Sequence, residues 1–121
     1  MGYTILTVDD AKAVRSMVTF ALEPHGYTVI EAENGREGLE KLSQAKVDLI
    51  ITDLNMPVMD GFDFIRSVRA DPAQTGVPII MLTTESAPEK KAIGKEAGAT
   101  GWLNKPFDEG QLIAIAKKLA G

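Results

Sequence analysis

Short apolar runs alternate with helix-period segments along the whole chain, five of each. The runs occupy residues 3–8, 27–30, 47–52, 77–82 and 100–103. Between them, apolar residues recur every three or four positions: Val14, Met17, Val18, Ala21 and Leu22; Leu39 and Leu42; Phe62, Ile65 and Val68. Pro24 and Gly26 close the first helix, and the third is finished before Pro72. Ser86 and Glu89 have capping-box spacing, with Pro88 in the first turn of a fourth helix. A fifth opens at Asp108, with Gln111 three residues on, and is predicted to bury Leu112, Ile115, Ala116 and Leu119. Strict strand–helix alternation requires parallel strands with right-handed crossovers and helices on both faces. Runs 47–52 and 77–82 are continuously apolar, as central strands covered on both faces must be. The expected fold is α/β, a doubly wound (βα)5 unit, with one domain filling residues 1–121.

Composition narrows the function. A formal net charge of −4 argues against a general nucleic-acid binder, which needs a basic face. The chain has no cysteine, so disulfides, thiolate metal sites and cysteine nucleophiles are excluded. A single histidine, His25, rules out a multi-histidine metal cage. No apolar run approaches the roughly 18 residues of a membrane span, and the N-terminus reads as a strand rather than a leader. A cytoplasmic protein without membrane or nucleic-acid partners is expected.

Ligands of open parallel sheets bind beyond the carboxyl ends of the strands. Four of the five runs stop there at reactive or coordinating side chains: Asp9 and Asp10, Asp53, Thr83 and Thr84, and Lys105. Carboxylates gathered on one edge repel each other unless a cation joins them. Mg²⁺ suits such oxygen ligands, since it takes one or two carboxylates, keeps several waters and shares its shell with phosphate. Lys105 offers a positive charge and Thr83 a hydroxyl to a phosphoryl group, and a carboxylate is a competent covalent acceptor. Each residue alone has a plainer reading: Asp10 as a helix cap, Thr83 as strand packing, Lys105 as a solvated charge. Their convergence on one edge is what favours a site.

The residues Val8-Asp9-Asp10, the stretch 53–61 (Asp53-Leu54-Asn55-Met56-Pro57-Val58-Met59-Asp60-Gly61), Leu82-Thr83-Thr84 and Lys105-Pro106-Phe107 resemble, in order and spacing, the receiver domains of two-component response regulators. The resemblance covers essentially the whole chain, and within the family is nearest to the single-domain, CheY-like chemotaxis regulators. It implies a flavodoxin-like sheet of order 2-1-3-4-5 and a protein that is a phosphoacceptor switch rather than an enzyme. Asp53 then matches the aspartate phosphorylated by a histidine kinase. Asp10, Asp53 and the main-chain carbonyl of Asn55 match Mg²⁺ ligands, and Asp9 their acidic partner. Thr83 and Lys105 match the residues that contact the phosphoryl group, and a cis Lys105–Pro106 bond is expected.

Further positions follow from the same resemblance. Trp102 matches an aromatic switch position more often held by Tyr or Phe; ordinary edge packing is the alternative. Thr84 is bulkier than the small residue often found in its place. Asn55 and Glu85 match positions that tune dephosphorylation and imply a short-lived phosphoryl group. Lys91, with Lys90 and Lys95, reads as a solvated helix face or part of a partner surface. The implied partners are a chemotaxis-type, CheA-like histidine kinase and a flagellar motor switch component, with the chain a monomer. A receiver of another phosphorelay is the alternative.

Two other classes fit less well. A haloacid-dehalogenase-like phosphatase wants an aspartate where Asn55 stands, and a cap domain that 121 residues barely supply. A flavodoxin-like electron carrier wants a Ser/Thr-rich phosphate loop where Asp9-Asp10 would repel a flavin phosphate.

Overall fold

In the computed structural model, which describes residues 2–74 and 76–121, the five runs form the strands of one parallel sheet. These are β1 (Thr4–Val8), β2 (Thr28–Ala32), β3 (Leu49–Thr52), β4 (Ile79–Thr83) and β5 (Gly101–Asn104), in the order β2-β1-β3-β4-β5. The helices are α1 (Lys12–Leu22), α2 (Gly35–Gln44), α3 (Gly61–Ala70), α4 (Pro88–Ala97) and α5 (Glu109–Leu119). This is the expected flavodoxin-like arrangement.

The continuous apolar runs are explained by two cores, one on each sheet face. Along β1, Ile5 enters one core and Leu6 the other; along β3, Leu49 and Ile51 alternate with Ile50. Along β4, Ile80 and Leu82 alternate with Ile79 and Met81. α1 and α5 cover the first core with Val18, Leu22, Leu112 and Ala116. α2 and α3 cover the second with Leu42, Phe64, Ile65 and Val68. Both faces of the central strands β3 and β4 are therefore dry, and every position along them is buried. Ile115 and Leu119, expected to be buried, are half-exposed at the edge of the α5 contact.

Most helix starts follow the sequence. The Asn34 side chain accepts from Glu37 N, Asp60 from Asp63 N and Asp108 from Gly110 N, each at 2.9 Å. The capping box expected at Ser86 and Glu89 does not form: α4 begins one residue later, and its N-cap, Ala87, offers no side-chain acceptor. Pro88 is the start signal that survives, since its fixed φ suits the first helical position. At its other end α4 is fastened by Arg69. That guanidinium donates to Gly98 O at 2.8 and 3.0 Å and to Val77 O at 2.6 Å, tying α3, α4 and the entry to β4.

Candidate functional site

β1 and β3 lie side by side, yet β1 is followed by a helix on one face and β3 by a helix on the other. The sheet order reverses between them, which opens a crevice at their carboxyl ends. Val8 pairs with Thr52, so Asp9 and Asp53 follow in matching positions, and Asp53 N donates to Val8 O at 2.8 Å. Asp9 and Asp53 are buried, with 2% and 7% of their surfaces exposed, while Asp10 is exposed. Oxygens of these three carboxylates all lie within 4.8 Å of one another.

Lys105 reaches this crevice from the loop after β5. Its Nζ donates to Asp9 Oδ2 at 2.7 Å and to Asp53 Oδ2 at 3.2 Å. The remaining oxygens are held by main chain: Leu54 N donates to Asp53 Oδ1 at 2.7 Å, and Ala11 N to Asp9 Oδ1 at 2.9 Å. Burial pushes the Asp9 carboxyl above its ordinary value; Lys105 and Ala11 oppose that rise, and the Asp53 charge adds to it. Burial pulls the Lys105 ammonium down, but its bonds to Asp9 and Asp53 outweigh this and hold it above an ordinary lysine. The two shifts are compatible because one cation serves two buried carboxylates. Lysine gains fully from the arrangement, and Asp9 is left under-compensated.

Thr83 is fully buried at the end of β4, its hydroxyl oxygen accepting from Glu85 N at 3.3 Å. Its carbonyl accepts from Lys105 N at 3.0 Å, so the two elements that bring Thr83 and Lys105 to the edge are tied to each other. Lys105–Pro106 is a cis peptide, as expected. Asn55 and Thr84 are exposed on their loops, and Lys91 is exposed on α4 with Lys90 and Lys95. Trp102 is half-buried, its ring packed against the second core and its indole N–H donating to Glu85 O at 3.0 Å. A cavity of about 650 Å³ lies away from this crevice, at the opposite edge of the sheet around Leu42, Asp48 and Pro78.

Sequence reasoning missed several contributors. Asn104 donates its amide to Glu85 O at 2.9 Å and Thr83 O at 3.3 Å, joining Trp102 in holding the β4–α4 loop. A polar strand end next to Lys105 was the available signal. In the sequence Gly61 reads only as loop and motif. A Cβ there would run into the Asp53 carbonyl oxygen and stand 2.8 Å from Leu54 Cα, so glycine lets α3 begin directly against the acidic loop. Val58, on the same loop, takes a left-handed φ of 71°, which is costly for a β-branched residue. Its exposed side chain gave no sequence signal.

The fold and edge thus define a class: a doubly wound α/β domain whose switch-point crevice gathers three carboxylates and one lysine. A sequence profile of the response regulator receiver domain matches residues 5–117. The chain belongs to that family, whose members are signalling domains working between histidine kinases and downstream targets. Among curated proteins it is 38% identical over 117 residues to the phosphate regulon transcriptional regulatory protein PhoB of Pseudomonas aeruginosa, matching 97% of this chain and 51% of PhoB. The chain thus spans about half the length of PhoB. It is also 38% identical over 118 residues to Protein PilH of the same species, covering 97% of this chain and 98% of PilH. Among solved structures, chemotaxis protein CheY4 of Vibrio cholerae superposes with a TM-score of 0.93 at 46% identity, covering 98% of this chain and 99% of that one. The receiver domain of a Pseudomonas aeruginosa sensor histidine kinase, with magnesium in its active-site cleft, superposes with a TM-score of 0.91 at 29% identity, covering 100% and 99%. Among the described residues no helix is long and apolar enough to cross a membrane.

Proposed function

We propose that Asp53 accepts a phosphoryl group from the phosphohistidine of a histidine kinase, in a site that holds Mg²⁺ on Asp9, Asp10, Asp53 and the Asn55 carbonyl. The observation that carries this reading is the convergence of three carboxylates within 4.8 Å of one another, two of which, Asp9 and Asp53, share Lys105. The donor set fits the ion, since octahedral ligands at about 2.1 Å lie roughly 3 to 4 Å apart. When bound, Mg²⁺ supplies the charge neutralisation that one lysine leaves incomplete.

The chain's own residues do the rest. Asp53 Oδ1 is held by Leu54 N, and Oδ2 lies beside Lys105, whose charge would receive the phosphoryl oxygens; Oδ2 is taken as the attacking oxygen. A new O–P bond forms as the P–N bond to the histidine breaks, and the imidazole leaves with its electron pair and takes a proton. Lys105 holds the phosphoryl charge from one side, and Thr83 donates its hydroxyl from the end of β4. Loss of the Glu85 N contact to Thr83 Oγ1 would carry the event to the Glu85 loop and Trp102, with Lys91 on the adjoining surface. The output is a changed affinity for a protein partner.

Treatment with acetyl phosphate and Mg²⁺ tests the chemistry. One acid-labile phosphoryl group per chain is expected by intact mass, absent in Asp53→Asn and absent after chelation. A label that survives Asp53→Asn overturns the assignment, and steady turnover of phosphomonoesters would indicate a phosphatase.

Control of motility through a CheA-like kinase and a flagellar motor component is the pathway we favour, supported by 46% identity to a chemotaxis protein along nearly all of both chains. Gene deletion should then alter spreading in soft agar. The similarity to PhoB, named a transcriptional regulator, supports a second reading as a receiver of another pathway. Unchanged motility would favour it.

A further inference from the structure

The acidic turn that follows β1 is held from behind by a residue outside the crevice. β2 ends at Ala32, whose carbonyl accepts from Asp9 N at 3.0 Å, so the sheet ladder stops just as the carbonyl of Asp9 comes due. The donor that reaches that carbonyl is the guanidinium of Arg15, one turn into α1, at 2.6 Å. Arg15 is itself oriented: its Nε donates to Glu31 Oε1 on β2 at 3.0 Å, and its side chain is only 13% exposed. Thr19 Oγ1 lies 3.5 Å from the other Glu31 oxygen and 2.9 Å from Arg15 O.

We propose that Arg15, aimed by Glu31, is a positioning residue that fixes the Asp9–Asp10 peptide and with it the direction of both carboxylates. The Asp9 carbonyl belongs to the peptide that joins the two aspartates, so its orientation sets the backbone angles flanking both. Asp9 has three further restraints, from Ala32, Ala11 and Lys105. Asp10 is exposed, and its place in the cluster depends on that shared peptide. Charge does not explain the pairing, because Glu31 already neutralises Arg15; geometry does. Main-chain and side-chain partners behind metal ligands act in this way in metal sites generally.

The inference rests on the proposed cation site, and two readouts separate its failure from failure of that site. Calorimetric Mg²⁺ titration of Arg15→Met should show binding weaker by about 10-fold or more, with Arg15→Lys recovering part of the loss and Glu31→Gln intermediate. The rate of labelling by acetyl phosphate should fall at low Mg²⁺ and recover at saturating Mg²⁺. In the metal-free protein, amide exchange at Ala11, whose N–H is held by Asp9, should accelerate in Arg15→Met while the β1–β2 ladder stays protected. Wild-type protein that binds no Mg²⁺ sinks the cation site, and the Ala11 exchange then still decides the positioning role. Unchanged Mg²⁺ affinity and unchanged Ala11 exchange, with only a lowered melting temperature, would overturn it.

Discussion

The Lys105 ammonium donates to Asp9 Oδ2 at 2.7 Å across 96 residues of sequence, and the same ammonium serves Asp53. Two buried carboxylates thus share one cation, and Asp9 is left with a raised affinity for its proton. Such an under-compensated cluster is a cost to the fold that a bound cation relieves.

Replacing Asp9 should therefore stabilise the metal-free protein. A carboxyl raised when folded binds its proton more tightly there than in the unfolded chain. Its cost is absent below the ordinary value of 3.8 and grows as pH rises through the folded value. Asp9→Asn should be more stable than wild type at pH 7 by about 1 kcal/mol, with the gap closing towards pH 4. Lys105, raised instead, keeps its contribution below 10.5 and loses it only as pH climbs through its higher folded value. Urea unfolding of both proteins from pH 4 to pH 8 is the measurement. An Asn variant weaker than wild type at neutral pH would mean that the Lys105 pair outweighs the burial of Asp9.

Mg²⁺ should reverse the order. Binding to the folded state alone adds about 2.7 kcal/mol at a hundred times the dissociation constant, which for a chain of this length is a rise of several degrees in melting temperature. Asp53→Asn should lose most of that rise, and a chelator should abolish it in wild type. Thermal melts with and without Mg²⁺ decide this, and an equal rise in Asp53→Asn would place the ion elsewhere.

Much of this was legible in the sequence because fold and site rest on the same signal. Apolar runs that stop at Asp9, Asp53, Thr83 and Lys105 state both where the strands lie and what their ends carry. What escaped was set by close packing or by a neighbouring element's geometry. The Ser86–Glu89 spacing looked like a capping box, but Pro88 fixes the start of α4 one residue beyond Ser86. Arg15 sits among the apolar residues of α1 and looks like surface, yet the end of β2 leaves a carbonyl for it to bind. Val58 lies within the 53–61 motif, but nothing in that motif marks its conformation, because its unusual feature is its backbone.

That backbone makes a test. Valine at a φ of 71° carries the left-handed penalty of about 1–2 kcal/mol, and the residue is 74% exposed, so little packing is lost on replacement. Val58→Asn should raise stability by about 1 kcal/mol, or a few degrees, since Asn tolerates that region. Chemical unfolding reads it directly. A fall in stability would mean that the loop holds Val58 through contacts its exposure does not suggest.

Gly94 and Trp102 give the sharpest reversal of an ordinary rule. Exchanging an interior helical glycine for alanine normally stabilises by about 1 kcal/mol. A Cβ at position 94, however, would stand 2.7 Å from Cζ3 of Trp102, inside the space the indole ring fills against α4. Gly94→Ala should therefore cost about 1–3 kcal/mol, as overpacking does. It should also strain the indole bond to Glu85 O, and the lone tryptophan's emission should shift to the red as the ring turns towards water. With Trp102→Ala as background the clash is gone, and the same exchange should become neutral or stabilising. The double-mutant cycle isolates the pair, and a coupling below about 0.5 kcal/mol would show that the ring yields without resistance, so that Gly94 does not hold its orientation.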